Sequence, residues 1–417
     1  MKPFLLVRNG VLVAGLALAA SQVTGQQQPG ATAQIRNGEI GFVVSSMRNA
    51  LLADGVTVAE ACPQGQSLAP ADAYAKLPAE RRAAFEAQYE AAAAARLAAA
   101  GPNASTQPQN RGMRGGVRGG QTNIDGSAVC LNPAPMGPDP SFRTVDNVVR
   151  ADGIDIDGRT SKASDRQNGD TCAHDDMIGA DGVRNIDNQY ARILSCIPAY
   201  APGGSANESF EGAMREGLWT LVIKLSKVDN LLNDPDVDVL IASSEDPLKL
   251  NASGTPVRNV TYEAHSDPMY RTVTKGRIVN GVLTTTPVDM TYFVRLPSSV
   301  RPSAMTQIGA RFKLTIAPDG SASGVMAGYE DVERMAHVNF AVGGNAGIAS
   351  GGAQLAKYTC NGIYYSMLRY ADGKRDPKTG KCTAISTQWK ISAGPAFVIA
   401  PPVAATKAAT NEREKNG

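Results

Sequence analysis

The stretch RTVTKGRIVNGVLTTTPVDM, residues 271–290, decides the fold class. Two runs rich in Val, Thr and Ile flank Asn280-Gly281, and the central positions of a two-residue hairpin turn need the positive φ that Asn and Gly tolerate best. Antiparallel pairing follows. Working outward, Leu218–Leu225, Val237–Ala242, Arg271–Val279, Val282–Met290, Ala310–Ile316, Ala322–Gly328 and Gln388–Val398 read as strands, with Asp319-Gly320 as a second tight turn. The expectation is a mainly β chain with peripheral helices (α+β). Its antiparallel β-sandwich spans residues 211–403 and is preceded by an Asp-rich, disulfide-pinned irregular region at 130–210.

The flanking segments differ in composition. Lys2 and Arg8 precede the short apolar run VLVAGLALAA at Val11–Ala20, which reads as a signal peptide over residues 1–25, too short to span a bilayer. No comparable run follows, so the mature chain is expected to be periplasmic or secreted, with no membrane span. Residues 26–102 read as a helical N-terminal segment. In it Glu39–Leu52 suggests a strand running into a short helix, and Pro78–Ala100 is rich in Ala, Glu and Arg. Residues 103–129 (with RGMRGGVRGG) read as a Gly/Arg-rich linker, and 404–417 as a disordered tail. Further helices are expected at Ile186–Ile197, Val332–Asn339 and Leu355–Tyr370. A net charge of +2 with 19% charged residues supplies no broad basic field, so a nucleic-acid partner is not expected.

Six cysteines, none in a CxxC pair, suit three disulfides in an oxidising compartment. Fifteen connectivities are open. Pairing of sequence neighbours is the reading adopted: Cys62 with Cys130, Cys172 with Cys196, and Cys360 with Cys382.

Residues 151–189 (ADGIDIDGRTSKASDRQNGDTCAHDDMIGADGVRNIDNQ) hold nine aspartates and no glutamate. Crowded carboxylates repel one another, and a hard dication taking six to eight oxygens reverses that balance. The ligands expected from this stretch are Asp155, Asp157, Asp165 and Asp170, with Asp152 and Asp176 behind them. Calcium is preferred to magnesium because an irregular loop offers many oxygens without octahedral geometry. It is preferred to zinc because only Cys172 and His174 are soft ligands nearby, and its role is expected to be structural.

DGIDIDG at residues 152–158 resembles an EF-hand loop, though its first position falls on Gly153 and Ser164 stands where a bidentate Glu belongs. With Asp165, Asp170 and Cys172 the stretch is also similar to thrombospondin type 3 calcium repeats. More widely, the chain resembles an uncharacterised family of exported bacterial proteins. CPQG at 62–65, PAERR at 78–82, GPN at 101–103, NIDNQ at 185–189, EGLW at 216–219 and DPKTGKCTAIS at 376–386 carry that likeness. It implies architecture and no activity.

Hydrolase signatures are missing: there is no GxSxG, HExxH or phosphate loop. His265 has Asp267 nearby, His337 sits among apolar residues, and Glu263, Asp289, Glu330 and Asp331 are unremarkable carboxylates. Gly343–Gly347 and Ser350–Gly352 are read as flexible connections. No catalytic residue is assigned. The chain is read as a calcium-stabilised, non-enzymatic binding or structural protein whose partner is an extracytoplasmic ligand or an envelope protein. The alternative is a secreted polysaccharide or ester hydrolase whose site assembles only in three dimensions.

Overall fold

A computed structural model of the chain describes residues 35–51, 78–100, 143–145, 150–179, 182–200, 204–295, 303–336 and 360–401, together with Cys62 and Gly65. The stretches expected as signal peptide, Gly/Arg-rich linker and tail, with Cys130, His337 and Gly343–Gly352, lie outside the described residues.

Among the described residues there are eleven strands: β1 (Glu39–Asn49), β2 (Thr220–Ser226), β3 (Asn233–Ser244), β4 (Val260–Glu263), β5 (Arg271–Val279), β6 (Val282–Thr285), β7 (Val288–Val294), β8 (Ser303–Ile316), β9 (Ala322–Asp331), β10 (Gly373–Arg375) and β11 (Cys382–Ile399). Five helices accompany them: α1 (Ala79–Ala100), α2 (Gln189–Leu194), α3 (Ser205–Arg215), α4 (Val332–Met335) and α5 (Cys360–Tyr370). Asn280-Gly281 joins β5 to β6 as expected, with φ of 50° and 76°. Proline divides the run expected over Val282–Met290: Pro287 has no N–H for a ladder, and the chain leaves the β5–β6 pairing there to start β7. β1 stays extended to Asn49 where a helix was expected, because its second half remains paired with β11 as far as Asn49↔Trp389. The Pro-, Gly- and Ser-containing run Ala199–Asn207 reads from sequence as a loop, yet α3 begins inside it at Ser205.

The expected β-sandwich is corrected to a barrel. Strands β1, β2, β3, β5, β6, β8, β9 and β11 pair in that order, and β11 then pairs back onto β1 from Gly41↔Ala396 to Asn49↔Trp389. The result is an eight-strand closed antiparallel barrel, with β4, β7 and β10 as outer strands, β4 lying parallel to β11. Alternating inward and outward residues serve a sandwich and a barrel equally, so the strand pattern could not separate them. What closes the sheet is the 18-residue length of β11, which holds β9 on one edge and β1 on the other. Gly41 permits the seam, since a Cβ there would stand 2.6 Å from the Ala396 carbonyl oxygen.

Side chains fill the interior, as the bore of an eight-strand barrel allows. Phe42, Leu221, Ile223, Val239, Phe312, Met326 and Ile391 point inward, and α3 adds Ala213 and Met214. Phe210 stacks on Trp389 at 5.2 Å and meets Trp219 edge-on at 4.8 Å. On the outer face Val43, Val222, Ala242 and Val398 are covered by Leu248 and Tyr262. α2, α4 and α5 pack with Ile385 in a separate buried cluster. Along β11 the alternation lapses from Ala384 to Trp389, where every residue is buried, because the outer face of the strand is covered there.

Two disulfides are described, Cys62–Cys196 and Cys172–Cys382, with Cα atoms 5.8 and 5.5 Å apart. They overturn all three neighbour pairings, since Cys62, Cys172, Cys196 and Cys382 each take a distant partner. Closure entropy rises only with the logarithm of loop length, so sequence proximity is a weak guide once the fold brings distant cysteines together. Among the described residues no helix is long and apolar enough to cross a membrane. Loops of 134 and 210 residues correspond to about 5 kcal/mol of unfolded-state entropy for each bond taken singly. Replacing Cys172 and Cys382 by Ser is therefore expected to lower the denaturant midpoint strongly, by up to about 5 kcal/mol in unfolding free energy.

Candidate metal centre

The Asp-rich segment folds as an irregular layer on the covered part of β11. Short bridges at Arg150↔Ile178 and Met177↔Ile186 draw its two ends together. One buried side chain then fastens both ends to the barrel. Gln388 donates from Nε2 to the carbonyls of Ile154 (2.6 Å) and Asp187 (2.7 Å), and its Oε1 accepts from the Ile154 N–H (2.9 Å). Gly153 lets the backbone lie on this amide, because a Cβ would come within 2.6 Å of Gln388 Cδ. Asn188 Nδ2 adds a bond to the Asp152 carbonyl, and Ser386 Oγ accepts from the Gln189 N–H at the start of α2.

This fastening gathers carboxylates that are far apart in sequence. Oxygens of Asp155, Asp157 and Asp187 lie within 4.8 Å of one another. Asp155 accepts from the Gly158 N–H at 2.5 Å and Asp157 from the Arg159 N–H at 2.8 Å, so the DxDG turn holds both side chains in place. Gly158, with φ 76°, supplies the bend. Asp187 is buried and accepts from the N–H groups of Ile156 (2.6 Å) and Asp157 (3.3 Å).

The surroundings are short of positive charge. Burial raises Asp187 to about 8, with Asp372, Asp157 and Asp176 pushing the same way against the Ile156 hydrogen bond. Burial likewise raises Asp372 to about 7, opposed by its hydrogen bonds from Ser386, and Asp157 adds to the rise. Asp176 is raised to about 6 by burial and then by the charges of Asp157, Asp155 and Asp175, although it accepts from the Ser161 N–H. The Tyr329 phenol is held far above its ordinary value by burial, with Asp372, Asp187 and Asp157 adding to it. Among the described residues no lysine or arginine forms an ion pair with Asp155, Asp157, Asp176 or Asp187.

The six ligands expected from sequence therefore divide. Asp155 and Asp157 are in the cluster, and Asp176 stands beside it. Asp152 is paired with Lys390, Asp165 accepts from the Lys162 N–H (3.0 Å) at a short 3-10 turn, and Asp170 is held below its ordinary value, chiefly by its hydrogen bond from Arg375. Asp187 and Asp372 escaped sequence reading. Asp187 carried a faint signal, lying between Ile186 and a helix start in NIDNQ. The donors are all oxygens, which suits a hard cation. Neither soft ligand is available for zinc: Cys172 is in a disulfide, and His174 is buried with its ring nitrogens against the Arg166 guanidinium.

Other residues weighed in the sequence take separate partners. Glu330 is buried inside the barrel and accepts from Gln307 Nε2 at 2.7 Å, Asp331 pairs with Lys374, and Asp289 accepts from the Gly309 N–H. His265 faces Glu245 across 3.4 Å, while Asp267 offers its ring only a backbone N–H.

The raised acids set the sign of a pH effect. Folded Asp187 holds a proton up to about pH 8 that the unfolded chain releases near pH 4, so the native state binds more protons across that window and stability falls as pH rises. In chelator the melting temperature is expected to fall between pH 5 and pH 8, and Asp187→Asn is expected to flatten that fall. No family model, curated protein or solved structure matches this chain.

Proposed function

We propose that the chain is an exported, non-catalytic binding or structural protein whose Asp-rich segment is held on the barrel wall by calcium. The observation that carries this reading is the convergence of Asp155, Asp157 and buried Asp187 within 4.8 Å with no basic ion-pair partner among the described residues. Backbone N–H groups alone offset little of the repulsion among such closely set carboxylates, and a dication from solution neutralises it. The loop is irregular and offers oxygens only, which favours calcium over magnesium and zinc. The disulfides suit an oxidising compartment outside the cytoplasm. Calcium's role in this reading is structural, since Gln388 and the cation together fix the segment on β11.

The hydrolase alternative finds less support. The pocket beside His265 is lined by Gly217, Leu218, Glu245, Tyr270, Phe293 and Arg295, a set with one carboxylate and no serine or cysteine, which offers neither the carboxylate pair of a glycosidase nor the nucleophile of an esterase.

Thermal melting with calcium, magnesium or chelator tests the proposal. Calcium at a hundred times its Kd is expected to add about 2.7 kcal/mol to the stability of the native chain. Asp155→Asn and Asp187→Asn are expected to abolish that increment, while Asp165→Asn and Asp170→Asn keep it. A midpoint that chelator does not move would refute the calcium reading.

A further inference from the structure

A second site lies away from the aspartates, where loops meet at one end of the barrel. Five segments build it: Gly217-Leu218 ahead of β2, Glu245 after β3, His265 after β4, Tyr270 at the end of a 3-10 turn, and Phe293 with Arg295 at the end of β7. The cavity they line holds about 350 Å³, within the range of small-ligand sites.

Its floor is aromatic and fixed. The His265 ring meets Tyr270 at 4.8 Å and Phe293 at 5.6 Å, and Tyr270 meets Phe293 at 5.8 Å, all edge-on. The backbone of His265 is tied to β3 by its N–H to the Ser243 carbonyl (2.8 Å). Asp267 Oδ1 accepts from the Met269 N–H, forming the turn that delivers Tyr270. The Asp267 N–H donates to His265 Nδ1 at 3.0 Å, so the proton of the neutral ring sits on Nε2, facing Glu245 Oε1 at 3.4 Å.

Two opposite charges stand over this floor. The Glu245 side chain is 81% exposed and meets only the imidazole, while Arg295 is exposed and makes no ion pair among the described residues. They are not paired with each other. A ligand of one sign would be repelled by one of them, and a purely apolar ligand would desolvate both without compensation. A small molecule carrying both signs on an apolar body satisfies all three features. Its carboxylate takes the guanidinium fork, its ammonium takes Glu245, and its side chain lies on Tyr270 and Phe293.

We propose that this pocket binds a free α-amino acid with an apolar side chain. The site is independent of the calcium reading and can stand or fall without it.

Calorimetric titration of the full disulfide-bonded chain with L-phenylalanine, L-leucine and L-methionine tests it. At least one is expected to bind with Kd below about 1 mM. N-acetylation, which removes the ammonium, and 2-phenylethylamine, which lacks the carboxylate, are each expected to weaken binding about tenfold. Arg295→Gln is expected to weaken the amino acid about tenfold while leaving 2-phenylethylamine unchanged, and Glu245→Gln to leave N-acetyl-L-phenylalanine unchanged. Both are surface changes, and the melting curve with calcium, which should match that of the parent chain, confirms that each variant folds. The proposal is overturned if none of the three amino acids binds, if the acetylated or decarboxylated analogue binds as well as its parent, or if D-glucose binds where they do not.

Discussion

The barrel depends on one strand being paired along both edges. β11 carries β9 on one side and β1 on the other, and without the second pairing the sheet would be an open, eight-strand ribbon with two free edges. Because the closing partners come from opposite ends of the chain, the last strand to be made completes the structure that the first one starts. Closure also sets the bore, and a bore of eight strands is filled by Phe42, Phe312, Met326 and their neighbours rather than left as a channel.

The same strand organises the outside. From Ala384 to Trp389 it is buried on both faces, and its outward residues make specific polar contacts. Gln388 grips two carbonyls and an N–H of the Asp-rich layer, and Ser386 receives the start of α2 while donating its own N–H to Asp372. Cys382 ties the first turn of the strand to Cys172. The acidic layer is therefore held against a rigid wall, and its carboxylates cannot relieve their repulsion by moving apart as they would in a free loop. That constraint links barrel packing to the raised acids of the cluster. A centre built of aspartates needs a wall that does not yield.

The two proposed sites divide along physical lines. The aspartate centre has carboxylates close together and backbone donors, and such a place suits an ion. The loop-end pocket has balanced charge above a packed aromatic floor, which suits a small organic zwitterion. Both use residues at strand ends or in loops fastened to strands.

Much of the β character was legible locally. The period of two in β5 and β6, the Asn280-Gly281 turn and the density of aspartates are short-range features, and the structure bears out the hairpin they imply. Asp155 and Asp157 were legible as neighbours because three residues of a turn position them. Asp187 was not, since it stands thirty residues on and meets them through long-range hydrogen bonds, directly to the Ile156 and Asp157 N–H groups and through Gln388, which belongs to a strand two hundred residues further along. The disulfide partners, the barrel closure and the meeting of His265, Tyr270, Phe293 and Arg295 are of this second kind. The sequence by itself determined which segments would be extended, where they would turn and where negative charge would crowd, because each follows from residues within a few positions of one another. Only the tertiary structure decided that the sheet closes, which cysteines meet and which carboxylates share a centre. Those outcomes depend on contacts between residues far apart along the chain, and local preference carries no information about them.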